Sequence, residues 1–412
     1  MRLGIDFGTT RTVVSAGDQG RYPVAAFETS DGFADYLPGH VAQLREELFF
    51  GAEALARFGE PGVRVVRSVK RAVTGLAPED LVGGLDGVRA LPLVTRYLEW
   101  VKRTLIADSN LDIGAQEPLE AMVAVPANAS TRQRFLTLEA FRAAGFVTIG
   151  MVNEPTAAAI EFAHRNLGAV GRRSPKRYVV VYDLGGGTFD SSAVSLVGRR
   201  FDLLNSEGIA KLGGEDLDAL VLELALEVAG RSDELTDIQR ARALTICREA
   251  KETLTPSSRR LLVDLRELLG FEEPCVIDTQ ELYTRAQPLV DRTVELTARV
   301  FSSLTARGID PENPRELGAI YLVGGASAFP PVARTLRQLY GRKIQLAPQP
   351  HAATAVGLAI AADPDAQLFV REASTRHFGV WREADGGREK VFDSILSKDT
   401  AAPEGALLKV VR

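Results

Sequence analysis

The stretch YVVVYDLGGGTFDSSAVSL, from Tyr178 to Leu196, decides how the rest of the chain is read. Two β-branched runs flank Gly185, Gly186 and Gly187, and an aspartate stands on each side, Asp183 and Asp190. The valine content and the glycine turn predict a hairpin of buried strands. A glycine tip exposes backbone N–H groups and lets another backbone or a ligand come close, and such nests bind phosphate. A carboxylate beside a phosphate repels it unless a cation lies between them, so Asp183 makes sense there with Mg2+ held through its waters. One glycine turn alone is equally well explained as a bulge in a strand.

The N-terminus carries a second such tip. MRLGIDFGTTRTVVSAG reads as strand, turn and strand, with the turn at Gly8-Thr9-Thr10. Asp6-Phe7-Gly8-Thr9-Thr10 is echoed by Asp183-Leu184-Gly185-Gly186-Gly187-Thr188. The repeat is too long for a solenoid. It predicts two similar α/β halves, each presenting one glycine hairpin, that clasp a polyphosphate from both sides. A third turn, Gly324-Gly325-Ala326-Ser327, follows the strand AIYLV and opens a helix. It either faces a phosphate or a ribose-adenine edge, or is only a tight strand-to-helix turn.

Strand and helix patterns alternate between and after these turns, which argues for α/β layers. EAMVAVPA is a short strand stopped by Pro126. STRQRFLTLEAFRAAGF is an amphipathic helix capped by Ser130 or Thr131. IGMVNEP is a strand and TAAAIEFAHRNLG a helix. EDLDALVLELALEVAG and TDIQRARALTICREAKETLT are helical, RLLVDLRELLG reads as a strand or strand pair, and a long helix starts at Pro288. From about Pro364 the texture changes to β-hairpins around Gly386-Gly387.

The 412 residues suffice for two or three domains, and 45 % hydrophobic with 25 % charged residues is the mix of a soluble globular protein. A net charge of −5 gives no sign of nucleic-acid or membrane-surface binding. The one dense basic run, Arg172, Arg173, Lys176 and Arg177, reads as a solvated loop. Cys247 and Cys275 have no metal or redox spacing and read as buried apolar residues in a reducing compartment. No apolar run is long enough to cross a bilayer, and Asp6 interrupts the first apolar stretch, which excludes a signal peptide. Together these points predict a cytoplasmic protein.

With these residues in view, the sequence resembles the nucleotide-binding region of the seventy-kilodalton heat-shock chaperones (the DnaK type). GIDFGTT, VKRAVTG at Val69 to Gly75, MVNEPTAAAIEF, YDLGGGTFDSSAVS, KLGGEDLD at Lys211 to Asp218, CREAKETLT and YLVGGASAFP occur in that family's order over residues 1–363. The resemblance implies an actin-like ATPase fold: two lobes, each with a duplicated ribonuclease H-like core, and a nucleotide cleft between them. The expected division is lobe I at 1–172, with 347–363 returning to it, then lobe II at 173–346 with an outer subdomain near 212–288. A β-rich tail at 364–412 follows, which resembles the start of a substrate-binding β-sandwich.

The resemblance also implies the roles. Asp6 and Asp183 hold the water shell of Mg2+, and Asp190 helps hold K+. Gly8, Thr9, Thr10, Gly185, Gly186 and Gly187 cradle ATP or ADP phosphates, with Thr188 near the γ-phosphate and Arg11 among the nucleotide-binding residues. Lys70 positions the attacking water and Glu154 orders it, which is the positioning and charge neutralisation that phosphoryl transfer needs. Gly213, Gly214, Glu215, Arg248, Lys251, Glu252, Thr255, Gly324, Gly325, Ala326 and Ala328 line the adenosine side. Pro126 and Arg132 match positions that relay nucleotide state. The implied partners are a J-domain co-chaperone, a nucleotide exchange factor and unfolded polypeptides, with the protein a monomer. Read from the residues alone, Lys70 beside Arg71 is a solvated basic pair and Glu154-Pro155 a helix start; the joint context favours the functional roles.

Five departures from the family pattern stand out. Ala328 replaces an arginine that packs on adenine, and Arg248 and Glu252 exchange the family's signs at i and i+4. Arg248 either supplies the lost cation for stacking on the base or forms a surface ion pair. His351 stands where the family has an aspartate and reads as a surface or capping residue. The segment between Lys70 and Pro126 is short, as if the unit that docks exchange factors were trimmed. The linker-like DPDAQLFVREAS is a poor copy, and the tail to Arg412 is either a cut-off sandwich or a divergent end. Two other functions suit the same fold. A filament-forming ATPase would polymerise with ATP, and a small-molecule kinase would need a carboxylate base beside an acceptor pocket.

Overall fold

Each glycine-tipped segment folds as an antiparallel hairpin inside a five-stranded sheet. The computed structural model describes residues 1–396 except 30–31, 115, 167–174, 198–199, 232–233, 306–307, 312, 314, 367–368 and 371–377. In the first sheet the strand order is Val147–Asn153, Glu120–Val125, Arg2–Phe7, Arg11–Ala16 and Leu37–Pro38. In the second it is Ile344–Leu346, Leu317–Val323, Tyr178–Leu184, Phe189–Ser195 and Leu203–Ile209. The two orders correspond strand for strand: two parallel neighbours, then the first and second hairpin strands, then an antiparallel edge. This is the duplicated architecture of the actin-like ATPase fold. The near-continuous burial of Tyr178–Leu184, broken only at Asp183, is what a strand covered on both faces requires.

Two helices fill the space between the sheets. Glu154–Arg165 starts at Asn153 with Pro155 in its first turn, where proline costs nothing. Ala353–Ala362 crosses it and also lies on the strand Arg2–Phe7. One core cluster joins Ala158, Phe162, Val356 and Ile360 to Val179, Val181 and Tyr321 of the second sheet; another joins Ala157 and Leu358 to Ala124 and Val152 of the first. The approach depends on small residues. A Cβ on Gly357 would overlap the Ala157 carbonyl oxygen, and one on Gly4 would overlap the Ala355 carbonyl.

Outer units project over the cleft from both halves. The first carries a three-stranded sheet, Glu47–Phe50, Val41–Leu44 and Val63–Val66, that leads into the short helix Val69–Ala72. The second carries helices Gly214–Val228 and Asp237–Glu252 and the strand pair Arg260–Val263 with Cys275–Asp278. Arg242 donates to the Phe58 carbonyl at 2.6 and 3.1 Å, closing the two units onto each other. His40 is buried at this seam, edge-on to Phe58. Burial, then the nearby Arg248 and Arg67, push its imidazole down to about 4.

Three local expectations are corrected. RLLVDLRELLG is one strand followed by a helical turn, Arg266–Leu269, which Gly270 ends with a φ of 73°. The strand's partner is CVID. The long helix begins at Thr279, capped by Asp278, and runs to Leu304 with Pro288 inside it, so no break marks the end of the outer subdomain. Gly325–Ala328 is a 3-10 turn, and the α-helix after it begins only at Pro330. Cys247 and Cys275 are buried free thiols. A hairpin of Phe378–Ala384 and Glu389–Leu396 follows the α/β body. The basic residues Arg172 and Arg173, half of the linker-like stretch and the tail beyond 396 lie outside the described residues. No described helix is long and apolar enough to cross a membrane.

Two outcomes follow from this packing. Gly357→Val should lower the unfolding free energy by about 3 kcal/mol or more, because a backbone carbonyl cannot yield as a side chain does. An unchanged denaturation midpoint would disprove that close crossing. His40 stays neutral in the folded chain while the unfolded chain takes up a proton below about pH 6.5. The stability that His40 contributes is therefore present above pH 6.5 and lost as pH falls toward 4. Between pH 7 and 5 the wild type should lose about 2 kcal/mol more than His40→Gln in denaturant titrations.

Candidate functional site

The hairpin tips meet at a cavity of about 620 Å3 between the lobes. They close in the same way: the Gly8 N–H donates to the Arg11 carbonyl, and the Gly185 N–H to the Thr188 carbonyl, each at 3.0 Å. Thr9-Thr10 and Gly186-Gly187 are thus two-residue loops outside the ladders. The second loop and the third glycine turn leave no room for added bulk. A Cβ on Gly186 would stand 2.5 Å from Thr10 Oγ1, and one on Gly324, whose φ is 80°, would run into the Asp183 carboxylate. The loops are pinned from outside. Ser68 Oγ donates to the Thr9 carbonyl, and the Gly39 N–H donates to the Thr10 carbonyl at 3.0 Å. The N–H groups of Gly214 and Glu215 donate to the carbonyls of Gly185 and Gly186 at 2.9 and 2.7 Å.

Acidic groups dominate the floor. Asp6 and Asp183 occupy equivalent hairpin positions, and Asp190 lies directly across from Asp183 in the ladder. Burial, then Glu154, push both Asp6 and Asp190 up to about 7, with Lys70 opposing. Burial, then Glu154, Asp190 and Asp6, push Asp183 well above the usual carboxylate range. Lys70 Nζ lies 2.7 Å from Glu154 Oε1. Burial alone would lower the Lys70 ammonium; Glu154, Asp6 and Asp183 outweigh it and hold the group above its ordinary value. The site is a buried excess of negative charge with one ammonium already paired.

The far end of the cavity is crossed by ion pairs between lobes. Arg11 reaches Glu252 at 2.6 Å, and Arg71 reaches Glu215 at 2.5 Å. Arg248 faces Asp218 at 3.4 Å, so the expected Arg248–Glu252 surface pair does not form. Lys251 is buried, with Nζ 2.8 Å from Asp218 and 3.2 Å from the Gly214 carbonyl. His351 is no plain surface residue: it lines the cavity and its Nε2 lies 2.7 Å from Asp35.

Most of the expected residues converge. Asp6, Gly8, Thr9, Thr10, Arg11, Lys70, Glu154, Asp183, Gly185, Gly186, Thr188, Asp190, Gly214, Glu215, Arg248, Lys251, Glu252, Gly324, Gly325, Ala326 and Ala328 all line the cavity. Three expected residues do not. A Cβ on Gly187 would run into the Arg71 guanidinium, and one on Gly213 would stand 2.6 Å from the Gly187 nitrogen. Thr255 is exposed and closes a turn with Ser258. Pro126 lines the cavity, whereas Arg132 is exposed on the first turn of the helix Thr131–Ala143. Sequence reasoning missed Asp218 and Arg71 as cleft residues. Asp218 lies four residues after Gly214, one helical turn on and on the same face, which was a usable signal.

Comparison with known proteins agrees with this geometry. The family described as Hsp70 protein matches residues 102–366. Chaperone protein HscA homologs from Aromatoleum aromaticum and Variovorax paradoxus are 30% identical over 380 and 378 residues, 88% of this chain and 58% of each relative. The HscA homolog of Tolumonas auensis is 28% identical over 421 residues, 97% of this chain and 64% of the relative. The chain thus spans about three fifths of the length of these relatives. With the family match covering more than half of its residues, the chain belongs to the Hsp70 family.

Proposed function

We propose that this chain is the ATP-binding and ATP-hydrolysing region of an Hsp70-type chaperone, in which nucleotide state sets lobe closure and so controls a polypeptide client. The observation that carries this reading is the pair of matched hairpin tips, one from each lobe, facing one cavity floored by half-buried carboxylates. A polyphosphate fits between glycine and threonine tips, and the Lys70 ammonium lies beside the carboxylates rather than out in solvent.

The donor set suits Mg2+. Asp6, Asp183 and Asp190 offer only oxygen, and desolvation with the nearby Glu154 carboxylate outweighs Lys70 and holds them above the usual carboxylate range. Among the described residues no three His, Cys, Asp or Glu side chains converge closely enough to hold a metal directly. In this proposal the ion is kept at one remove by its waters, with Asp6 and Asp183 as the principal holders and Asp190 available to K+. When bound, the ion neutralises phosphate charge. This chain's own residues do the rest. The tips orient the phosphates, the Lys70 ammonium places positive charge where charge develops, and Glu154 holds Lys70 in position and accepts a hydrogen bond from the attacking water.

Lobe closure gives the site an output. Arg11–Glu252 and Arg71–Glu215 span the cleft, so opening the lobes breaks both pairs. The client, the J-domain co-chaperone and the exchange factor belong to this proposal, as does a cytoplasmic location.

Lys70→Ala should lower single-turnover ATP hydrolysis by about 100-fold or more while ATP affinity, measured by calorimetry, changes only a few-fold. Normal turnover in that variant would remove Lys70 from the mechanism. If the wild type binds no ATP, the whole reading fails.

A further inference from the structure

Arg11 is the first residue after the first hairpin tip, and it is where the lobes meet over the third glycine turn. Its Nη2 lies 2.6 and 2.7 Å from the two carboxylate oxygens of Glu252 on the other lobe. Its guanidinium carbon stands 4.2 Å from the centre of the Tyr36 ring. A Cβ on Gly325 would be 3.7 Å from Arg11 Nη1 and 3.9 Å from the His351 Cβ. Burial opposes the charge on Arg11, but Glu252, Tyr36 and Asp35 more than offset it. The guanidinium is therefore a fixed, fully charged plane beside the glycine turn.

Other guanidinium groups in the cavity are committed elsewhere. Arg71 covers Gly187 and pairs with Glu215. Arg248 turns to Asp218, close enough to His40 and Arg67 to repel their protonated forms. Arg248 stays on the cavity wall with its guanidinium turned to Asp218. Gly325 and Ala328, which line this end of the cavity, have no planar side chain to set against a ring. A nucleotide whose phosphates sit at the tips places its base beyond them, at the Gly325 turn, where Arg11 stands.

We propose that Arg11 contacts the base of the bound nucleotide, receiving the ring against its guanidinium while Tyr36 backs it and Glu252 braces it from the opposite lobe. The proposal rests on the nucleotide reading of the cleft. It makes base recognition conditional on closure, because the brace comes from the helix Asp237–Glu252 of the other lobe. A guanidinium stacks on a ring through its flat face, whereas an ammonium is a point charge.

The test compares Mg2+-ATP with Mg2+-tripolyphosphate, which lacks the base, on the full chain by calorimetry. Arg11→Ala and Arg11→Lys should each weaken ATP about tenfold and leave tripolyphosphate unchanged. Retained tripolyphosphate binding also shows that the variant cleft is folded; if Arg11→Ala does not fold, Arg11→Lys decides. An equal loss for both ligands would make Arg11 a phosphate or scaffold residue and overturn the proposal. Unchanged or tighter ATP binding would make Arg11–Glu252 a mere latch and overturn it equally. If the wild type binds tripolyphosphate but not ATP, the base contact fails while the phosphate clasp stands. If it binds neither, the nucleotide reading itself is at fault.

Discussion

Three aspartates, Asp6, Asp183 and Asp190, are half-buried at the junction of the lobes opposite the Lys70 ammonium, which Glu154 already occupies. Carboxylates taken out of water without partners protonate or attract a cation, because an unpaired buried charge is among the costliest features a fold can hold. The surrounding architecture keeps them there. Both sheets end their hairpins at this point, both crossing helices pack behind it, and the outer units close over it. A core built only for stability would place apolar side chains at these positions. On the proposed reading, a cation arriving with the nucleotide supplies the missing positive partner.

The pairs across the cleft transmit that arrangement outward. Within each lobe, the tips are fixed by backbone bonds to Gly39 and by the Ser68 hydroxyl, or by the first turn of the helix Gly214–Val228. Between lobes, the tie consists of a few ion pairs and the Arg242 bond to Phe58. Part-exposed ion pairs contribute little individually and weaken with salt. Two stiff bodies are thus joined at the cleft mouth by weak, polar contacts, and at the base by apolar helix packing through Gly357 and Ala157.

Much of this was legible in the sequence. Glycine runs, valine runs, Ser130 as a cap and Pro155 at a helix start are local signals, and the repeat of Asp6–Thr10 in Asp183–Thr188 disclosed the duplication. The pairing of charges was not legible. Glu252 is 241 residues from Arg11 and 144 separate Glu215 from Arg71, so no helical spacing could match them. The i, i+4 rule pointed Arg248 at Glu252, and tertiary partners at shorter range overrode it. Pro288 was misjudged for a related reason. Proline removes one intrahelical bond and favours helix starts, yet the packing of the whole Thr279–Leu304 helix outweighs that loss.

The strand-for-strand match of the two sheets has one further consequence. Registering the hairpins on each other sets Asp6 against Asp183 but Val13 against Asp190. The duplicated frame repeats in backbone, while its chemistry is lopsided by a carboxylate on the second hairpin and by the Arg11 guanidinium on the first, where the second has Thr188. A symmetric clasp would grip a phosphate chain equally well in either direction. These differences between the copies give the groove a polarity, and with it a head and a tail for whatever chain of phosphates lies there.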